Sequence, residues 1–238
     1  MRISDKAIVL SSIKNGDKKM ILRLYTHQHG LLTLIANIGK SPAAKVKSST
    51  LLPLTLIEAQ MILKQNKEIH QLVETRCYSV NQHISQSLSK LSIAQFINEV
   101  LIRSLKEQQA NHSLYEFIET CICFLNDAEQ DFENLHLYFL TELTRYLGFE
   151  PQNNRQDAQP YFDCREGSFS SLSLAFPLGL SKEESQLFSD YLKINSLKTK
   201  ISYQQRTVLL DILLAYYRLH IPGFNEVKSI AVLKEVFQ

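Results

Sequence analysis

Near residue 80 the apolar residues of this chain change rhythm, from strict alternation to the three-to-four-residue spacing of a helix. Alternation places every second side chain on one face of a pleated strand, whereas helical spacing lines one side of a cylinder. A chain with that switch is neither an all-β sandwich nor a helical bundle. The expectation is an α+β protein: a strand-built domain over residues 1–80 and a helix-built domain over 81–238.

The strand-rich part reads as five strands. Lys6 to Ile13 is β-branched and apolar, and Asn15-Gly16-Asp17 after it is a turn signal. Met20, Leu22 and Leu24 alternate with Ile21, Arg23 and Tyr25. After His29-Gly30, Leu32, Leu34 and Ala36 alternate with Leu31, Thr33 and Ile35. Leu51 to Leu63 and Lys67 to Val80 supply the last two strands. An open sheet this small would leave unpaired edges, so the expected form is a small closed barrel of five strands.

Gly39 to Thr50 interrupts the strands with GKSPAAKVKSST, a basic loop whose only large apolar residue is Val46. Charge follows the same division. Residues 1–80 hold 12 Lys and Arg against 5 Asp and Glu, a net of +7; residues 81–238 hold 14 against 19, a net of −5. The whole-chain value of +2 hides this asymmetry, which points to a polyanion as partner of the N-terminal domain.

Beyond residue 80, Ile93, Phe96, Ile97, Val100, Leu101 and Leu105 form an apolar stripe. Capping boxes are expected at Ser113/Glu116, Ser181/Glu184 and Ser202/Gln205. The acidic stretch Asp127 to Glu133 is expected to open a helix that Gly148 ends. Phe149 to Pro160 reads as a loop and Tyr161 to Leu174 as a short hairpin around Glu166-Gly167. Tyr203 to His220 is apolar nearly all round and belongs at the centre of a core.

Catalytic signatures are missing. Gly39-Lys40-Ser41 resembles the end of a phosphate-binding loop, but that motif needs glycine where Leu34 stands. GxSxG, HExxH and GxGxxG do not occur. Cys77, Cys121, Cys123 and Cys164 make no zinc spacing and read as free thiols. His27 and His29 flank a turn without a third metal ligand nearby. The expectation is a binding protein, not an enzyme, without metal or cofactor. It is placed in the cytoplasm because no apolar run is long enough for a signal or a membrane span.

The candidate DNA-contacting residues are Lys14, Lys18, Lys19 and Arg23 on the first hairpin, with Lys40, Lys45 and Lys47 in the basic loop. Residues 1–80 contain Tyr25 and Tyr78 but no Phe or Trp, so few bases can be stacked. Binding should rest on phosphate contacts and weaken steeply with salt. Neutralising about four phosphates gives a log–log salt slope of about −3 to −4.

Ordered blocks along the chain resemble the RecO family of DNA repair and recombination mediators. They are Lys6-Ala-Ile-Val-Leu-Ser-Ser12, Arg23-Leu-Tyr-Thr26, Gly30-Leu-Leu-Thr33, Leu52-Pro-Leu-Thr-Leu-Ile57, Leu147-Gly-Phe149, Tyr161-Phe-Asp163, Arg165-Glu-Gly-Ser-Phe169, His220-Ile-Pro-Gly223 and Lys228-Ser229. The style of residues 161–169 is similar to the Bacteroidetes branch. The resemblance implies an N-terminal five-stranded OB-fold β-barrel followed by a helical domain, binding of single- and double-stranded DNA, and annealing of complementary strands. It also implies action with RecR and RecF to load RecA onto DNA coated by SSB, in the RecF pathway. The acidic, Phe-ended SSB tail would dock on the helical domain, where Arg103 and Arg145 are the candidate contacts.

Three departures from the family pattern stand out. The zinc cysteines of many members are represented here only by Cys164, so zinc is not expected. Pro42 and Ala43 fall where relatives often carry further basic residues, which lowers the expected DNA affinity. Leu137 and Tyr138 occupy positions where some relatives have paired arginines. The alternative reading is a protein adaptor whose barrel binds a partner chain without direct DNA binding; an RNA-binding module is a third.

Overall fold

The computed structural model describes residues 1–39, 41, 43–79, 81–106, 109–197 and 200–237. Its contacts divide into two compact units, Met1–Asp127 and Ala128–Gln238.

The first unit opens with β1 (Arg2–Lys14), β2 (Lys19–Thr26), β3 (Gly30–Asn37), β4 (Leu56–Ile62) and β5 (Ile69–Ser79). They close in the order β1-β2-β3-β5-β4, with β4 returning to β1. All neighbouring pairs are antiparallel except β3 and β5, which run parallel from Thr33↔Ile69 to Ala36↔Leu72. This is the expected five-stranded closed barrel. Met20, Leu22, Leu24, Leu34 and Ala36, the alternating set read from the sequence, turn inward and meet Val9, Ile57, Ala59, Met61 and Leu72.

The fourth strand differs from the expectation. Ser48–Leu51 is a 3₁₀ turn, and the strand begins only at Leu56. Pro53 has no N–H to give a sheet ladder, and Leu54 takes a left-handed φ of 60°. Leu54 instead donates its N–H to Val9 O at 2.7 Å, and Val9 N donates to Thr55 O at 3.1 Å, so the turn is stitched to β1.

Ala7, Ile8, Val9 and Leu10 are all fully buried. Only alternate residues of a barrel strand can face its interior. The outward pair is therefore covered from outside, and the helices that follow supply the cover. They are α1 (Gln82–Gln86), α2 (Leu88–Ser104) and α3 (His112–Asp127), with α2 in contact with β1. The apolar stripe of α2 is buried as expected. The start of α3 differs: the helix begins at His112, and Leu114 N–H is accepted by the Asn111 side chain at 3.0 Å, so Ser113 lies inside the first turn and is not its cap.

The second unit contains α4 (Leu135–Leu147), the β6–β7 hairpin (Tyr161–Asp163 and Ser168–Ser170), α5 (Lys182–Ile194), α6 (Tyr203–His220) and α7 (Ile230–Val236). The acidic stretch ends before α4, whose first turn carries no acidic residue. Gly148 does end α4 in the left-handed conformation, at φ 83°. Both later capping boxes form, Ser181 with Glu184 and Ser202 with Gln205. The hairpin is shorter than expected, and turns at Gly167, where φ is 66° and a Cβ would strike the Tyr216 hydroxyl. Helix α6 is central: Leu209, Leu210, Ile212, Leu213, Leu214, Tyr216 and Tyr217 are buried, and it touches both α4 and α5.

Candidate nucleic-acid interface

The basic rim is built by backbone hydrogen bonds. The first hairpin closes with Asn15 N donating to Lys19 O at 2.9 Å, across Gly16 at φ 80°. Lys14, Lys18 and Lys19 are exposed around that turn. Ile38 N then donates to Lys18 O at 2.8 Å, which brings the end of β3 against the hairpin. Gly39 N donates to Val46 O at 3.1 Å, and Thr75 N of β5 donates to Lys45 O at 2.9 Å. A Cβ at Gly39 would collide with Ala44, so glycine is needed where the loop folds back on itself.

Val46 explains why this loop presents charge. Its side chain is 2 % exposed and belongs to the barrel core. In extended backbone, the neighbours of an inward residue point outward. Lys45 and Lys47 are accordingly exposed on either side of it. Thr50 fixes the far end, its hydroxyl donating to Lys47 O at 2.8 Å and meeting the Thr75 hydroxyl at 3.1 Å. The loop is thus tethered at Gly39, Lys45, Val46 and Thr50. Lys40 lies outside the described residues.

Two features alter the charge of this rim. Lys45 Nζ is 3.5 Å from Glu74 on β5, an exposed pair that partly offsets its charge. Arg23 points elsewhere. It sits about 13 Å along β2 from Lys19 at the usual rise per residue. Its guanidinium reaches Leu105 O at 3.4 Å, at the C-terminal end of α2, where a helix dipole favours a cation. The structure therefore gathers Lys14, Lys18, Lys19, Lys45 and Lys47 and leaves Arg23 apart.

The barrel's two aromatic residues serve α3. Tyr25 is 2 % exposed and stacks on Tyr115 with ring centres 6.2 Å apart. The Tyr78 hydroxyl meets that of Tyr115 at 3.0 Å and donates to Glu119, while Lys6 lies over the Tyr78 ring. Burial pushes the Tyr25 phenol up to about 12, and burial together with Glu119 and Tyr115 raises that of Tyr78 well above its ordinary value. The Tyr25 ring is thus buried, and that of Tyr78 is half-buried with its hydroxyl turned to α3.

His27 and His29 are likewise engaged within this unit. His29 Nδ1 is 3.0 Å from Asp5 Oδ2, and the His27 ring stacks on His112 at 4.6 Å. A cavity of about 470 Å³ beside them is lined by Asp5, Lys6, His27, Glu58, Glu116 and Glu119. Among the described residues, no group of three or more His, Cys, Asp and Glu side chains is placed to hold a metal ion. None of the four cysteines is in a disulfide, and burial pushes the Cys164 thiol up to about 12.

The two arginines expected to meet an acidic tail fall in different units. Arg103, in the last turn of α2, holds Glu99 at 2.6 Å with both side chains largely buried. Arg145, in the last turn of α4, is exposed and paired with Glu150 at 2.9 Å and Glu142 at 3.4 Å. An apolar slot in the second unit went unnoticed in the sequence. Arg206, Lys234 and Phe237 are among its lining residues. Its parts lie on α4, α6 and α7, far apart in the chain, and no local pattern announces them.

A closed 1-2-3-5-4 barrel with a lysine rim, followed by a helical unit around one buried helix, defines an OB-fold protein with a helical C-terminal extension. Two family models match the chain: "Recombination protein O N terminal" over residues 1–81 and "Recombination protein O C terminal" over residues 85–229. The chain is also 32% identical to the DNA repair protein RecO of Flavobacterium johnsoniae over 240 residues, covering 100% of both chains. The RecO protein of Flavobacterium psychrophilum is 32% identical with the same coverage, and that of Bacteroides fragilis 31% identical over 97% of each. The chain belongs to the RecO family of DNA repair proteins. Among the described residues, no helix is long and apolar enough to cross a membrane.

Proposed function

We propose that this protein is a non-enzymatic recombination mediator that binds single- and double-stranded DNA through the lysine rim of its barrel. In this reading it anneals complementary strands and, with RecR and RecF, helps load RecA onto SSB-coated DNA at the nucleoid. The observation that carries the reading is the tethered loop, which projects Lys45 and Lys47 beside Lys14, Lys18 and Lys19. Fixed cations of this kind suit phosphates. With Tyr25 and Tyr78 committed to α3, binding would rest on charge, be almost independent of sequence, and accept both strand forms. Loose base stacking also suits annealing, because bases left unstacked by protein remain available to pair.

The helical domain would dock the acidic, Phe-ended tail of SSB. Arg103 and Arg145 remain the candidates from the sequence, both ion-paired; Arg206, beside an aromatic ring in an apolar slot, has the more suitable surroundings.

The decisive experiment is annealing of complementary oligonucleotides precoated with the cognate SSB, with and without its C-terminal tail. Annealing should occur with intact SSB and drop sharply with tailless SSB. Replacing Lys40, Lys45 and Lys47 together by Glu should abolish DNA binding while leaving the circular dichroism spectrum unchanged. Undiminished DNA binding in that variant would overturn the phosphate reading.

A further inference from the structure

The outer face of the barrel carries a row of aliphatic side chains that stay in contact with solvent. Register places Ile13 of β1 opposite Ile21 of β2, and Ile21 opposite Ile35 of β3. Met20, Leu22, Leu34 and Ala36, their neighbours in the strands, line the core, so the isoleucines point outward. Ile13 is 64 % exposed, and Ile21 and Ile35 are half-buried. Ile69 of β5, exposed and opposite Thr33, extends the patch. Adjacent strands lie about 4.8 Å apart, so the row makes a platform about 10 Å across.

Single exposed isoleucines are ordinary, but a contiguous row marks a contact surface. The residues around it say what it contacts. Along β2 the outward positions are Lys19, Ile21 and Arg23, so a cation stands on each side of the row, about 7 Å away at the usual rise per residue. Lys14 follows Ile13 directly. The other outward neighbours, Ser11, Thr33, Asn37 and Gln71, carry no charge. A surface that is apolar between two lines of cations suits flat apolar groups strung on a polyanion.

A single-stranded nucleic acid has that form, since every unpaired base offers an apolar face. In a duplex those faces are stacked on one another and only the phosphates and base edges remain outside. The platform therefore has something to hold in one strand form and nothing in the other.

We propose that the Ile13, Ile21 and Ile35 row is a base-packing platform selective for single strands, with Lys14, Lys19 and Arg23 taking the flanking phosphates. The inference rests on the DNA-binding reading above and deepens it: the lysine rim grips any phosphate backbone, and the row adds a contact that only unpaired bases make. Packing on aliphatic side chains releases no counterions, so its share of the affinity survives at salt concentrations that remove the rest. The preference for single strands should therefore persist while both affinities fall. Aliphatic packing is also weaker than aromatic stacking, so bases can leave the platform to pair.

The test is the full-length triple variant Ile13→Thr, Ile21→Thr, Ile35→Thr. Thr is β-branched and suits a strand, and circular dichroism with a urea midpoint checks the fold. The labelled probes are oligo-dT, an abasic single strand of the same length, and a duplex. The variant should bind oligo-dT about tenfold more weakly, the effect of losing roughly 55 Å² of buried apolar surface. It should bind the abasic strand and the duplex as the wild type does, with the wild type's salt slopes. The chain contains no tryptophan, so Ile21→Trp installs a single fluorophore on the platform. Its emission should be quenched by oligo-dT and unchanged by the abasic strand. Unaltered oligo-dT affinity in the triple variant, with unquenched Trp emission, would overturn the platform and leave the lysine rim standing. An equal loss on all the probes would overturn it too, and mark the row as a support of the rim. A wild type that sediments as a dimer, with a monomeric triple variant that binds oligo-dT normally, would assign the face to a second copy instead. A wild type that binds none of the probes would overturn both readings.

Discussion

Removing Lys45 and Lys47 tests the phosphate reading quantitatively. The rim of five described lysines, one partly offset by Glu74, corresponds to between four and five neutralised phosphates. Counterion release then gives a log–log salt slope of about −3.6 to −4.5 on duplex DNA and about −2.8 to −3.5 on single strands. Raising salt from about 50 to about 200 mM should weaken duplex binding roughly 250-fold at a slope of about −4. The double variant Lys45→Gln, Lys47→Gln removes two contacts and should flatten the slopes by about 1.8 and about 1.4, leaving a loss of roughly 20-fold on duplex. Glu74→Gln works in the opposite direction. It frees Lys45 from an exposed ion pair worth about 0–1 kcal/mol, so DNA affinity should rise by up to about fivefold. The assay is fluorescence anisotropy of labelled duplex and oligo-dT across the salt series. A double variant with the parent's slope, or a Glu74→Gln protein that binds more weakly, would refute the assignment of this rim.

Three further outcomes follow from particular contacts. Tyr78→Phe keeps a ring but leaves Tyr115 and Glu119 without their shared partner. It should lower stability by about 1–3 kcal/mol in urea unfolding and leave DNA affinity unchanged; weaker DNA binding by the folded variant would show that Tyr78 contacts bases after all. Ser202→Ala removes the reciprocal cap of α6 and should cost about 1 kcal/mol, read from the urea midpoint. His136 has a folded pKa of about 3, below its unfolded value of 6.5, so the unfolded chain binds the extra proton between those values. Its contribution is intact above about pH 6.5 and declines as pH falls toward 3, by about 1.4 kcal/mol per pH unit. Between about pH 6.5 and about pH 5 the wild type should therefore lose about 2 kcal/mol more than His136→Leu, and parallel pH profiles of the two would exclude this origin.

The parts of the chain that rest on local physics were legible before the fold was known. Alternation put Met20, Leu22 and Leu24 on one face, and they line the barrel. Ser181 and Ser202 cap their helices with the side chains three residues on, because a capping box is complete within one turn. Gly148 ends α4 since only glycine takes a left-handed φ without strain. The excess of Lys and Arg over residues 1–80 marked the basic module, and Val46 stood out as the lone large apolar residue in a polar loop.

Where local signals competed, the sequence reading slipped. Asn111 and Ser113 can both cap a helix, and packing of α3 on Tyr25 and Tyr78 accompanies a start at His112. Leu51 to Leu54 is as apolar as a strand, but Pro53 and the pairing of Leu54 with Val9 bend it into a turn. The direction of Arg23 depended on where α2 ends, and the engagement of Tyr25 and Tyr78 on where α3 lies. The slot around Phe237 needed α4, α6 and α7 brought together across about a hundred residues.

By itself, then, the sequence determined which segments are strands or helices, where most of them stop, and which half of the chain is basic. Those properties follow from backbone conformation and side-chain polarity within a few residues. Only the tertiary structure decided that Val46 would anchor the loop and aim Lys45 and Lys47 outward, that Arg23 would leave the rim, and that the barrel's two tyrosines would be spent on a helix. Those outcomes depend on burial against distant partners, and burial is a property of the assembled core, which no stretch of chain contains alone.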